Sequence, residues 1–437
     1  MRIALVGAGK FGAMFLSQCR RTPGLHVAGI ADLDRNRAAA SLARVGWPAD
    51  RYAAHSLDEA LARGTTWLTE DSAALLDHGA VEIVIEATGN PLAGCDHALR
   101  AIDAGKHVVM VNVEADALAG PALARRAAAA GVAYSLAYGD QPALICELVD
   151  WARTAGLEVV CAGKGTKYLP AYHAATPDTV WGHYGFSDDM VADGELNPRM
   201  FNSFLDGTKS AIEMAAVANA TGLVPQDEGL GFPPCGVDDL PRVCRPREDG
   251  GHLQRRGTVE VVSSLETDGR PVRRDLRWGV YVTFDGGTEY VRRCFREYGV
   301  VADPDGRYAA LYRPYHFIGL ELGISVASVG LLGEPTGCAK EFAGDAVAVA
   351  KRDMSEGEPL DGEGGYCVHG RLVPAGVSVA GGLLPIGLSS GVRLRRAVRT
   401  GETLRLSDVN IDHGAPAVAL RKELSGADGD SVRTGLG

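Results

Sequence analysis

The chain opens MRIALVGAGKFG, a short apolar strand that runs directly into Gly7-x-Gly9-x-x-Gly12, and Asp32 follows at the spacing a dinucleotide site requires. Few patterns restrict a fold so strongly. A strand, a glycine turn, a helix and a second strand ending in an acid together specify a βαβ unit of a parallel sheet. Gly7 allows the tight turn, Gly9 lets backbone amides approach a pyrophosphate, and Gly12 permits close packing of helix on strand. The helix N-terminus favours the phosphate charge. Residues 3–6 are predicted as a buried strand, 10–22 as a helix and 25–34 as a second strand, with Lys10 and Phe11 inside the turn itself. Asp32 suits a ribose diol and favours NAD. Arg35 and Arg37 lie just beyond it and could accept a 2′-phosphate, so the cofactor is read as NAD or NADP.

The same alternation continues. Strands are predicted at 81–89, 106–116 and 132–140, with helices at 36–45, 92–104 and 120–130 between them, which is the pattern of a doubly wound parallel sheet. In such sheets ligands bind at the carboxyl ends of strands. Thr88, Gly89 and Asn112 therefore join the cofactor-binding set, with Glu114, Asp140 and Gln141 at neighbouring strand ends. Beyond a helix at 143–155 and a strand at 157–166, an irregular stretch rich in aromatic and polar residues runs to about 195. Strand-like runs return between 257 and 320, among them the run from Tyr312 to Ser328. From Phe342 onward, dense glycine turns and short strands predict a small β-rich module.

At 437 residues the chain has room for two or three domains. The expected fold class is α/β, with a Rossmann domain over 1–142, an α+β catalytic and dimerisation domain over 143–341, a small β-rich domain over 342–413 and a flexible polar tail over 414–437. A net charge of -11 without a basic cluster argues against a nucleic-acid surface. The nine cysteines show no CxxC pair and no metal-ligand spacing, so they are read as thiols of a reducing compartment. No apolar run reaches membrane-spanning length. The expectation is a cytoplasmic homo-oligomer, a dimer, with a small-molecule substrate and neither nucleic acid nor membrane as partner.

One long helix is predicted over 198–221, with Asn197 as N-cap, Pro198 at its first position and Gly222 with Pro225 as the stop, spanning roughly 36 Å at 1.5 Å per residue. On it Asn202, Asp206, Lys209 and Glu213 are spaced by four, three and four and would form one stripe. Polar groups that run into a buried helix need partners, which marks the stripe as a site candidate rather than a solvated face. Reduction of a carbonyl needs a donor on the oxygen and a route for the proton. Lys209, Glu213, Asp206 and Lys167 are the candidate catalytic residues, and Lys164, Asn202 and Arg313 the candidate substrate-binding residues. Lys164 and Lys167, near a strand end, and Arg313 would hold an anionic end of the substrate. His173, His183 and His316 could line a lid or a pocket, or equally be satisfied structural histidines.

The combination of GAGKFG, EATGNP at a strand end, VNVEAD after the next strand, and DGTKSAIEMAAVANATG on a capped helix resembles the homoserine dehydrogenase superfamily. With its β-rich end, over residues 1–413, the chain is similar to homoserine dehydrogenase-like oxidoreductases that carry a C-terminal SAF (antifreeze-like) domain. That group includes the second type of 1-deoxy-D-xylulose 5-phosphate reductoisomerase. The resemblance implies rearrangement of an α-ketol coupled to reduction by NADPH, and a divalent cation (Mg or Mn) for which Asp206, Glu213 and Glu114 are the candidate carboxylates. Two of these segments depart from the pattern. Lys209 stands where the superfamily has an aspartate and Glu213 where it has a lysine, and Asn112-Val113-Glu114 replaces an Asn-Lys pair. The function expected is an NAD(P)-dependent oxidoreductase or reductoisomerase acting on a small phosphorylated or polyhydroxylated hydroxy-carbonyl compound. The alternatives are a homoserine dehydrogenase-type alcohol dehydrogenase and a cofactor-binding regulatory or scaffold protein.

Overall fold

The computed structural model describes residues 1–193 and 196–426. The chain divides into two compact units, the first built from Met1–Leu144, His316–Lys340 and the segment from Gly414, the second from Ile145–Tyr315 and Glu341–His413.

In the first unit β1 (Arg2–Val6), β2 (His26–Ala31), β3 (Trp67–Thr69), β4 (Ile83–Glu86), β5 (His107–Met110) and β6 (Tyr134–Leu136) form one sheet in the order β3-β2-β1-β4-β5-β6. Every adjacent pair is parallel. A parallel sheet covered on both faces needs apolar residues on both, which is why these strands read as continuous apolar runs. Ile3, Leu5, Ile30, Ile83, Ile85 and Val109 pack with Phe15 and Leu16 of the Lys10–Cys19 helix. Winding reverses at β1, between β2 and β4, and this switch opens a crevice at the carboxyl ends.

Three local expectations change in this unit. The strand predicted to run to residue 116 stops at Met110, and a helix spans Val113–Ala129. Asn112 starts it by accepting from the Ala115 amide at 3.1 Å, and Glu114 and Asp116 in the first turn suit the helix dipole. The run from Tyr312 to Ser328 is strand only to Arg313, and Gly323–Ala327 is helical. Leu322, Val326 and Val329 recur at helical spacing and enter the same core as β1. Within the tail predicted as flexible, Pro416–Leu424 is a helix packed on the Pro91–Asp103 and Val113–Ala129 helices, with an Arg126–Glu423 ion pair. Residues 427–437 of that tail lie outside the described residues.

The second unit is organised around β7 (Glu158–Thr166), which pairs parallel with β8 (Thr258–Ser263) and antiparallel with β9 (Val280–Asp285). Two more strands, β10 (Val301–Ala302) and β11 (Tyr308–Arg313), complete the sheet β10-β11-β9-β7-β8. Gly163 is required on β7 because a Cβ there would lie 1.7 Å from the Glu260 carbonyl oxygen. Lys164 points the other way, toward the helix Thr208–Thr221.

The single helix predicted over 198–221 is two, Pro198–Leu205 and Thr208–Thr221. Gly207 separates them with φ +89, a conformation that ends a helix and that a side chain would strain. All of Thr208–Thr221 is buried except Lys209, which is half-buried. The β-rich segment forms two small antiparallel sheets, β12 (Gly344–Ala350) with β14 (Val368–Pro374), and β13 (Pro359–Asp361) with β15 (Ser390–Arg393). It belongs to the same unit as the helix: Asn219 accepts from the Ala343 and Gly344 amides, and the Gly370 amide donates to Thr208 Oγ1 at 2.8 Å. The nine cysteines are free, and among the described residues no helix is long and apolar enough to cross a membrane.

Candidate active site

In the first unit the glycine turn has the geometry a dinucleotide needs. A Cβ on Gly7, at φ +97, would lie 2.6 Å from the Ala87 carbonyl oxygen, and one on Gly12 would lie 2.6 Å from the Gly7 carbonyl oxygen. At Gly9 a Cβ would meet nothing within 4 Å, so the space above this residue is open. Gly9 also starts the Lys10–Cys19 helix without a side-chain cap, and no acid stands in the first turn. The first amides of the helix thus lack a side-chain acceptor, which fits a bound pyrophosphate.

Asp32 is buried at the end of β2 and accepts from the Ala8 amide at 2.8 Å. Arg37 donates to its Oδ1 from Nη2 at 2.5 Å and from Nε at 3.1 Å. The guanidinium offsets the carboxylate charge that would repel a 2′-phosphate. Arg35 is exposed, its amide directed at Glu70 Oε1. Lys10 is exposed and Phe11 half-buried in the turn. Thr88 and Gly89 are exposed just beyond β4, with Thr88 Oγ1 donating to Glu86 at 2.5 Å. Asn112 is fully buried and donates to the Asn90 carbonyl at 2.8 Å and to Thr88 Oγ1 at 3.3 Å. It braces the loop that carries Thr88 and Gly89.

In the second unit the predicted stripe is redistributed. Asn202 is buried and donates to the carbonyls of Ala175 and Gly364, tying segments together. Asp206 is buried at the end of the first helix, where it accepts from the Thr208 amide at 2.9 Å and from Lys351 at 2.6 Å. Glu213 is buried in an ion pair with Lys164. Lys209, in the first turn of the second helix, adds a cation at the positive end of that helix. Arg313 ends β11 with its guanidinium 5.0 Å from the Tyr315 ring. His316 belongs to the first unit, as does Glu114.

Each buried carboxylate of the stripe is thus satisfied by a lysine. Asp206 and Glu213 do not form a cation site, and among the described residues no group of three or more His, Cys, Asp or Glu is arranged to hold a metal ion. Among the described residues, Asp206, Glu213 and Glu114, the carboxylates expected to hold a divalent cation, are not part of any such group. Breaking either pair by removing one partner would cost about 3–5 kcal/mol, the penalty of a stranded buried charge.

What the sequence reading missed is a chain of polar groups beside the helix break. Tyr168 follows Lys167 just past the end of β7, and its hydroxyl lies 2.9 Å from His173 Nε2. His173 Nδ1 lies 2.8 Å from the Asp206 carbonyl oxygen. A carbonyl only accepts, so Nδ1 carries the proton, Nε2 accepts, and the Tyr168 hydroxyl donates. The His173 ring stacks on His369 of β14 at 4.5 Å and lies close to Gly207, where a Cβ would come within 3.2 Å of its Cε1. On its other side Tyr168 stacks on Phe232 at 3.9 Å. Phe232 holds φ +48, rare for a residue with a side chain, and its amide donates to the buried Glu260 carboxylate.

Burial pushes the Tyr168 hydroxyl up to about 12, with the Glu260 charge adding to the effect. Burial lowers His173, against the pull of the Asp206 carbonyl and carboxylate. It also drives His369 down to about 3, reinforced by His173 and Lys351. Both rings are therefore neutral near pH 7. Residue spacing does not announce the contact of Tyr168 with His173 or of His173 with His369, which requires the folded chain.

Comparison with known proteins agrees with this geometry. Residues 1–111 match the family described as oxidoreductase family, NAD-binding Rossmann fold, and residues 139–322 match the family described as oxidoreductase DRL, catalytic domain. Both descriptions are of oxidoreductases, and the first is of an NAD-binding Rossmann fold. Neither description names a homoserine dehydrogenase or an SAF domain. No curated protein matches the chain.

Among solved structures, a biliverdin reductase from Synechocystis, in complex with biliverdin and NADP+, is 18% identical, with 44% of this chain and 54% of that chain covered and a TM-score of 0.28. An oxidoreductase from Agrobacterium radiobacter, in complex with NAD+, L-tartaric acid and magnesium, is 17% identical over 38% and 44%, with a TM-score of 0.28. A probable dehydrogenase from Thermotoga maritima is 12% identical over 77% and 90%, with a TM-score of 0.37. The chain spans about half the length of the first two.

Proposed function

We propose that this oxidoreductase acts on a small polyhydroxylated or phosphorylated hydroxy-carbonyl compound, in the manner of a ketol reductoisomerase, and that Tyr168 is its acid–base residue. The observation that carries the reading is the run Tyr168 Oη, His173 Nε2, His173 Nδ1, Asp206 carbonyl, at 2.9 and 2.8 Å. A nicotinamide, when bound, supplies or accepts the hydride. The groups of the second unit handle the proton. As a substrate hydroxyl gives its proton to Tyr168 Oη, the phenolic proton passes to His173 Nε2. The imidazolium that forms still donates from Nδ1 to the Asp206 carbonyl. In the reverse direction the same relay delivers a proton to the developing alkoxide.

An α-ketol rearrangement begins with loss of a hydroxyl proton and the following reduction ends with gain of one, so a single relay serves both steps. Lys209, at the positive end of its helix, is the nearest candidate in sequence to the relay's Asp206 for stabilising oxyanion charge.

Tyr168→Phe removes the relay's outer hydroxyl and keeps the ring that stacks on Phe232. Steady-state assays over sugar phosphates, sugar acids and homoserine should show kcat reduced about 100-fold or more on the best substrate, with NAD(P)H affinity unchanged. An unchanged kcat, or turnover of homoserine alone, would contradict the reading. His173→Asn should also remove a limb of the pH–rate profile, whereas a packing defect would lower the rate without changing the profile's shape.

A further inference from the structure

We propose that Lys167 and Arg277 form the recognition site for a phosphate group on the substrate. The inference rests on the preceding reading of the substrate as a small hydroxy-carbonyl compound and adds the chemistry of its charged end. Lys167 Nζ lies 5.4 Å from the centre of the Tyr184 ring, and Arg277 Cζ lies 5.6 Å from the centre of the same ring. Arg277 is also 4.6 Å from the Trp278 ring, and Lys167 Nζ donates to the His183 carbonyl at 2.5 Å. Two cations are thus held around one aromatic ring, each half-buried.

Among the described residues neither cation is paired with a carboxylate. Elsewhere in the same unit, partly buried arginines have such partners: Arg245 with Asp303 at 2.9 Å, Arg256 with Asp285 at 2.9 Å, and Arg307 with Asp249 at 3.0 Å. An aromatic face stabilises a cation but does not neutralise it, so the two like charges repel. The strain is felt at Lys167, whose ammonium is lowered by burial and then by Arg277. A dianion placed between them relieves both effects. The guanidinium fork and the ammonium together match several oxygens of one phosphate, more than a carboxylate offers.

Lys164 was the other lysine expected to hold an anionic end. Its buried pair with Glu213 cancels its charge, which leaves Lys167 and Arg277 as the cationic pair.

The test is binding of inorganic phosphate to the full-length protein, with saturating NADH so that the dinucleotide site is filled, followed by 31P line broadening and calorimetry. Phosphate should bind saturably, acetate should bind at least tenfold more weakly, and Arg277→Met and Lys167→Met should each weaken phosphate at least tenfold. Thermal unfolding identifies any variant that fails to fold, and Arg277→Lys, which keeps the charge and loses the fork, should bind with intermediate affinity. Absence of phosphate binding, binding by either Met variant as tight as by the parent protein, or acetate binding as tight as phosphate would overturn the site. Tyr168→Phe should bind phosphate like the parent protein. If phosphate binds as described while no sugar phosphate turns over, the catalytic reading fails and the anion site stands.

Discussion

At the scale of single residues, the glycines of the opening turn act in different ways. Gly7 and Gly12 are constrained by the protein's own backbone, because a Cβ on either would meet a carbonyl oxygen at 2.6 Å. Gly9 is not, since nothing of the protein lies within 4 Å of its missing Cβ. Gly9→Ala should therefore fold with a thermal midpoint within a degree or two of the parent and bind NAD(P)H about tenfold or more weakly, measured by fluorescence titration. An unchanged affinity would mean that no pyrophosphate passes over this residue. The motif and Asp32 were legible in the sequence because local spacing alone defines them. The Tyr168–His173 contact was not, although the two residues are only five positions apart, because its geometry depends on where Asp206 ends a helix and where β14 brings His369.

At the scale of elements, periodicity located the parallel strands but misjudged two boundaries for one reason. A polar side chain or a glycine that caps a helix overrode the apolar pattern around it: Asn112 started a helix inside an apparent strand, and Gly207 split an apparent helix. The same helix that Asn112 starts carries Asp116, wholly buried, which accepts from the Tyr134 hydroxyl at 3.0 Å. Burial raises its carboxyl from an ordinary 3.8 to about 7. Between those two values the folded state holds a proton that the unfolded state has released. Stability from this group is full below about pH 4 and is lost as pH rises through 7. Denaturant unfolding at pH 5 and pH 8 should show lower stability at pH 8, and Asp116→Asn should reduce that difference. A difference unaltered by the substitution would place its origin elsewhere.

At the scale of the whole molecule, the parallel, doubly wound sheet was present in the sequence, since the alternation of strands and helices follows from short-range signals. The assignment of segments to units was not. Residues 316–340 and the 416–424 helix belong with the Rossmann sheet, whereas the β-rich segment builds on the 208–221 helix, through contacts such as Gly370 with Thr208 that join residues far apart in the chain. The proposed reaction is transfer of hydride between a nicotinamide and a small hydroxy-carbonyl compound. Reduced cofactor carrying deuterium at C4 of its nicotinamide, incubated with the protein and the best substrate of the panel, tests it most directly. Deuterium should appear bonded to carbon in the product, with about one atom transferred per cofactor oxidised for the label on the transferred face. Product formed without deuterium on carbon, from cofactor labelled on either face, would contradict it.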